Sequence, residues 1–268
     1  MKKHSIFAGV LSLLLVASIF AHDLFLKTDS YFLQPNSKFT VKVMNGTFLA
    51  SEGAVTFARL NDVSVVSGGK REHPQETDLT KNETTAFLNL KTGAAGTYIV
   101  GLSTKSREIA LKAADFNGYL KEDGLPDTLE ERRKNGELEK DAKERYAKHV
   151  KAILQVGGKL TDDYKTVLGY PVELVPQQNP YKVKKGGTLD ILCLRDGKPL
   201  AGQVVLAGRE TNGKLTVSPE LRSDSSGLIK LRLDAAGKWY VKFINMEKLD
   251  DPDLNYESKW TTLTFEMR

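Results

Sequence analysis

The sequence predicts a mainly β protein: two immunoglobulin-like or transthyretin-like β-sandwich domains joined by a charged helical segment. Three observations carry this. Short strands of alternating polarity recur with turn signals roughly every ten residues, two internal echoes appear in the same order in both halves, and the apolar period between the halves lengthens to that of a helix.

The amino terminus comes first. Lys2 and Lys3 precede an apolar run over 6–16, and Ile19 and Ala21 occupy the positions that a signal-peptide cleavage site requires. Residues 1–21 therefore read as a secretory signal peptide, too short for a comfortable bilayer span. The mature chain is expected to start at His22, to lie in the periplasm and to contain no membrane span.

In residues 22–115, the N-terminal sandwich, strands are expected at 22–26, 38–44, 55–60, 85–90, 97–102 and 107–111. In residues 161–268, the C-terminal sandwich, they are expected at 172–175, 188–194, 203–207, 214–217, 227–233, 238–244 and 261–267. The first echo pairs residues 90–100 with 231–241: a strand, a turn on Ala94-Ala95-Gly96 or Ala235-Ala236-Gly237, then a strand that opens on an aromatic. The second pairs 31–43 with 181–193, where Phe39, Val41 and Val43 match Leu189, Ile191 and Cys193. Both of these strands end at turns that tolerate positive φ, Asn45-Gly46 and Asp196-Gly197.

The segment 116–160 reads as helical. A first helix starts at Asp127 and stops at Asn135-Gly136. A second spans about 137–156, because Leu138, Ala142, Tyr146, Val150, Ile153 and Leu154 recur at helical spacing, and Gly157-Gly158 stops it. Its charged residues are expected on a solvated face.

Composition narrows the function. Without Lys2 and Lys3 the net charge falls from +5 to about +3, an ordinary mixed surface with no nucleic-acid footprint. The single cysteine, Cys193, lies in an apolar strand and reads as core. No nucleophile elbow, zinc-protease helix, phosphate loop or dinucleotide fingerprint occurs, so a binding protein is expected rather than an enzyme.

Histidine carries the remaining chemistry. A terminal His22 would offer an α-amine and an imidazole on one residue, a compact chelate for nickel, cobalt or copper, with Asp23 as a further donor. The alternative is that His22 simply begins the first strand. His149 lies beside the apolar stripe and is the second candidate ligand, or a packed histidine. His73 reads as loop. A copper oxidase site would need a second histidine packed on His22.

The run from Ala21 to Leu26, the segment from Phe116 to Leu120 leading to Gly124-Leu125, the cluster Glu144-Arg145-Tyr146 with Lys148 and Lys151, and the closing stretch 256–265 together resemble a bacterial secreted family. Its domain is formally of unknown function and is often labelled the periplasmic, substrate-specific component of a nickel or cobalt uptake ABC system. The resemblance spans nearly the whole mature chain. It implies a periplasmic, non-enzymatic, metal-handling protein with His22 and His149 as metal ligands, and a metal-uptake transporter or outer-membrane receptor as partner. Where family members commonly carry a histidine after the aromatic strand, this chain has Asn245, which leaves a three-histidine site incomplete. The competing expectation is a structural or interaction module of the cell envelope that binds a protein or glycan.

Overall fold

The computed structural model describes residues 22–268; the expected signal peptide, residues 1–21, lies outside them. The protein is mainly β, arranged as three stacked sheets. A small outer sheet runs in the order Asp23–Lys27, Lys38–Gly46, Ala86–Lys91, Leu79–Lys81. The middle sheet runs Lys214–Val217, Val204–Thr211, Gly237–Lys248, Tyr256–Met267, Ala142–Val156, Gly96–Thr104, Leu60–Ser67, Lys70–Glu72. The second outer sheet is built on Thr188–Arg195, flanked by Val172–Pro176 on one side and by Leu228–Arg232 and the short Lys198–Pro199 on the other.

Each outer sheet buries one face against the middle sheet. On one side Leu24, Leu26, Val41 and Leu88 pack on Val100, Leu102, Val150 and Leu154. On the other, Leu174, Ile191 and Ile229 pack on Ile99, Ile153, Val241 and Leu263. Because side chains alternate along a strand, the even residues of Ala142–Val156 serve the first core and its odd residues the second. The two sandwich packings share one middle sheet.

This corrects the expected helical connection. Residues 142–156 form the central strand, Ala142–Val156, and not a helix. It pairs in parallel with Tyr256–Met267, from Glu144 opposite Tyr256 to Ala152 opposite Thr264, and antiparallel with Gly96–Thr104 and Arg107–Leu111. A strand covered on both faces loses the alternation that identifies half-buried strands. In so short a run, positions 142, 146, 150, 153 and 154 satisfy a helical period equally well. The β-branched Val150, Ile153 and Val156 favour the strand. The charges expected on a solvated face are instead internal: Glu144 is 0%, Lys148 6% and Lys151 1% exposed.

Helix does form in the first part of the segment. Pro126–Lys134 has Pro126 in its first turn, and Gly136, at φ 65°, follows its Asn135 cap. A preceding helix, Ala113–Glu122, stacks Phe116 and Tyr119 on Tyr256 and Trp260, with centroid separations of 4.9 and 5.6 Å. Both helices share one hydrophobic cluster at an end of the middle sheet. The expected strand at 55–60 is also displaced: a 3-10 turn occupies Phe57–Arg59 and the strand is Leu60–Ser67.

The two echoes occupy equivalent places. Lys38–Gly46 and Thr188–Arg195 each lie in an outer sheet, while Gly96–Thr104 and Gly237–Lys248 each lie in the middle one. The matched aromatics even bond alike: Tyr98 OH donates to the Ala94 carbonyl at 2.8 Å, and Trp239 Nε1 to the Ala235 carbonyl at 3.2 Å. Cys193 is fully buried, and its thiol is pushed up to about 12 by burial, as an inert core residue requires.

Candidate functional site

His22 leads directly into the strand Asp23–Lys27, where Asp23 pairs with Gly46. Its ring stays partly exposed, with Nε2 3.4 Å from Glu52 Oε2. The backbone around it is occupied. The His22 carbonyl accepts a hydrogen bond from the Lys148 ammonium. The Asp23 carboxylate is bound by Lys242, which also donates to Asp123 Oδ1 at 2.8 Å. Asp23, expected as a further metal donor, is therefore committed to an internal ion pair.

Beneath this corner lies an internal run of charge. Burial opposes the Lys242 ammonium, but Asp23 and Asp123 outweigh it and hold the group well above its usual range. Lys148 has no such partner: burial pushes it down to about 8, with Asp23, Asp123 and Glu144 only partly offsetting this. Its ammonium lies 5.3 Å from the Trp260 ring centroid and 5.5 Å from that of Tyr146, within cation–π range. Glu144, beyond Trp260, is bonded by Ser258 and, at 3.3 Å, by Tyr119, and burial pushes its carboxyl up to about 7.

His149 faces the other way. It follows Lys148 on the same strand, so its side chain emerges on the opposite face of the middle sheet. Its Nδ1 lies 2.9 Å from Ser103 Oγ, and its Nε2 has no hydrogen-bond partner. Burial, with the Lys259 charge, pushes it down to about 4, so the imidazole is neutral near pH 7. It borders a polar cleft of about 490 Å³ that also holds Tyr170 and Asp62. His73 is tied to that same Asp62, Nδ1 to Oδ1 at 3.1 Å.

The structure does not bring His22 and His149 together. Among the described residues, no group of three or more His, Cys, Asp or Glu is gathered in a metal-holding arrangement. Beside the His22 ring the structure places one carboxylate, that of Glu52. Asn245 donates to Gln203 Oε1 at 3.2 Å. Sequence reasoning missed Glu52, Lys148, Lys242 and Glu144 as parts of this corner. Lys148 and Glu144 fell inside the supposed helix, and only the pairing of distant strands puts Glu52 beside His22.

No helix among the described residues is long and apolar enough to cross a membrane. No curated protein matches the chain. Among solved structures, the D0-D1 domain of intimin aligns over 91% of this chain and 98% of its own, at 13% identity and a TM-score of 0.22. Trypsin-activated alpha-2-macroglobulin from Escherichia coli aligns over 92% of this chain but 16% of its own, at 7% identity and a TM-score of 0.24. The two tandem V-type regions of VCBP3, a v-region-containing chitin binding protein, align over 90% and 99%, at 10% identity and a TM-score of 0.22. These likenesses are too remote to bear on function. One family model, described as Domain of unknown function (DUF4198), matches residues 19–247.

Proposed function

The chain belongs to the DUF4198 family, and within it we propose an exported, non-enzymatic binding protein of the periplasm that holds nickel, cobalt or copper at its mature amino terminus. The observation that carries this reading is the Glu52 carboxylate 3.4 Å from His22 Nε2. A carboxylate on one ring nitrogen favours the proton there and leaves the other nitrogen, Nδ1, with its lone pair, as in metal-bound histidines backed by acidic residues. Nδ1 and the α-amine of a mature His22 then form one chelate ring. The Lys148 bond to the His22 carbonyl holds the backbone of that residue in place. The partner expected on this reading is a metal-uptake transporter or an outer-membrane receptor.

The test is calorimetric titration of nickel, cobalt and copper into protein cleaved to begin at His22, into protein with one extra N-terminal residue, and into Glu52→Gln. Saturable binding to the first, abolished by the extra residue and weakened about tenfold by Glu52→Gln, supports the chelate. Equal binding to all three, or none, rejects it.

A second reading, an interaction module for an envelope protein, has one observation of its own. The strand Lys214–Val217 closes an edge of the middle sheet, and Leu215 and Val217 are 37% and 64% exposed. Open edges accept a further strand from a partner. Crosslinking in cells with and without Val217→Pro distinguishes it: a partner lost with the proline supports the edge as the docking place, and an unchanged pattern rejects it.

A further inference from the structure

Beside the His22 corner, between the first outer sheet and the middle sheet, lies a cavity of about 150 Å³. Three cationic side chains line it. Arg59 comes from the 3-10 turn Phe57–Arg59, Arg107 opens the strand Arg107–Leu111, and Lys148 projects from the central strand. Asn45, Thr104 and Tyr146 supply its polar wall, and no carboxylate lines it.

The acidic residues nearby are engaged elsewhere. Glu108, next to Arg107, pairs with Lys143 and Arg145 at 2.8 and 2.9 Å. Glu52 faces His22, and Asp23 and Asp123 hold Lys242. Arg59 Nη1 is buried and has no hydrogen-bond partner among the described residues. The Lys148 ammonium, on a residue only 6% exposed, touches the His22 carbonyl and reaches Asn45 Oδ1 at 3.5 Å, but no carboxylate pairs with it. A buried guanidinium nitrogen without an acceptor is costly, and so is a buried ammonium without a counter-charge. A water can accept a hydrogen bond from Nη1, but it brings no charge.

We propose that this cavity binds a small oxyanion, a carboxylate or phosphate group, gripped by Arg59, Arg107 and Lys148. Guanidinium groups suit such ligands because their planar fork meets two oxygens at once. The volume is below that of pockets for drug-sized ligands, which limits the occupant to a small anion or the anionic end of a larger molecule. The proposal needs no metal and does not depend on the chelate at His22.

The experiment titrates inorganic phosphate and, separately, acetate into metal-free full chain at constant chloride concentration, read by calorimetry. The expected result is saturable binding of at least one anion, weakened about tenfold or more in Arg59→Gln and in Arg107→Gln, and unchanged in Lys105→Gln, whose ammonium bonds the Ala58 carbonyl outside the cavity. Phosphate alone or acetate alone identifies which anion the site takes. Thermal melts check folding, and Arg107, being exposed at a strand start, decides the matter alone if Arg59→Gln does not fold. Failure of both anions to bind the wild type overturns the proposal, as does equal binding to all variants. Metal titration of the same proteins is a separate readout, so the two site assignments can fail independently.

Discussion

Lys151 Nζ lies 2.8 Å from Glu173 Oε2, with both side chains sealed from solvent, and this pair ties the central strand to the first strand of the second outer sheet. Glu173 does more than neutralise the lysine. Its Oε1 accepts from the backbone N–H of Gly169 and Tyr170 at 2.8 and 3.0 Å, and its Oε2 from that of Leu168 at 3.0 Å. One carboxylate thus fixes the turn before its own strand and discharges the burial cost of Lys151.

Glu173→Gln leaves Lys151 buried without a counter-charge, and a loss of about 3–5 kcal/mol is expected. Lys151→Met combined with Glu173→Gln removes both charges while the amide oxygen still accepts from the turn. The double variant is expected to be the more stable of the two. Urea denaturation monitored by tryptophan fluorescence measures both, and a double variant less stable than the single would show that the charge pair is not the cause.

Glu144 makes stability depend on pH with a definite sign. Its carboxyl rises from 4.5 to about 7 in the folded protein, so the native state binds more protons than the unfolded chain across that window. Stability from this group is complete below about 4.5 and is lost as pH rises towards 7, a slope of up to about 1.4 kcal/mol per pH unit. Glu144→Gln is expected to remove this contribution, as read from the difference between wild-type and variant denaturation midpoints at a series of pH values.

His149 works in the opposite direction. Its pKa falls from 6.5 to about 4, so here the unfolded state binds the extra proton. Its stability contribution is complete above about 6.5 and is lost as pH falls towards 4. Between about 4.5 and 6.5 the two groups nearly cancel, so Glu144→Gln exposes a stability that climbs with pH and His149→Gln one that declines. Proton NMR of the His149 ring offers a direct check: its shifts should stay constant from pH 7 to pH 5.

The boundary after residue 160, with the C-terminal sandwich expected from residue 161, is a poor place to divide this chain. Ala142–Val156 pairs over residues 144–152 with Tyr256–Met267, and its two faces serve two cores. A fragment of residues 22–160 loses that partner and leaves Ile99 and Ile153 uncovered, so it is expected to remain unfolded or to aggregate when expressed alone. A dispersed amide NMR spectrum from the isolated fragment would contradict this.

Gly101 tests the close approach of the middle sheet to the turn that Glu173 holds. A Cβ added there would meet Leu168 Cδ1 at 2.3 Å and Tyr170 Oη at 2.8 Å. Gly101→Ala is expected to cost about 1–3 kcal/mol through overpacking, measured as a lowered melting temperature. Gly136→Ala gives a contrast: nothing lies within 4 Å of its Cβ, and only the positive φ opposes the change.

Most strands were legible in the sequence because they are covered on one face and therefore alternate, as in Lys38–Gly46, or sit between clear turns, as in Lys214–Val217. The two echoes were legible for a related reason: Tyr98 and Trp239 answer the same local geometry after an Ala-Ala-Gly turn, and that geometry is written over a few adjacent residues. His22 as a candidate followed from the expected cleavage point alone. Only the tertiary structure decided the state of residues 142–156. A run that is buried on both sides, charges included, shows no strand alternation and its apolar positions match a helix equally well, and the pairing that settles it lies more than a hundred residues away in Tyr256–Met267. The same long-range pairing buries Lys148, Lys151 and Glu144, sends His149 to the face opposite Lys148, and places Arg59 and Arg107 around one cavity. Local pattern determines which residues want to be covered; the neighbours that cover them come from parts of the chain that no local pattern connects.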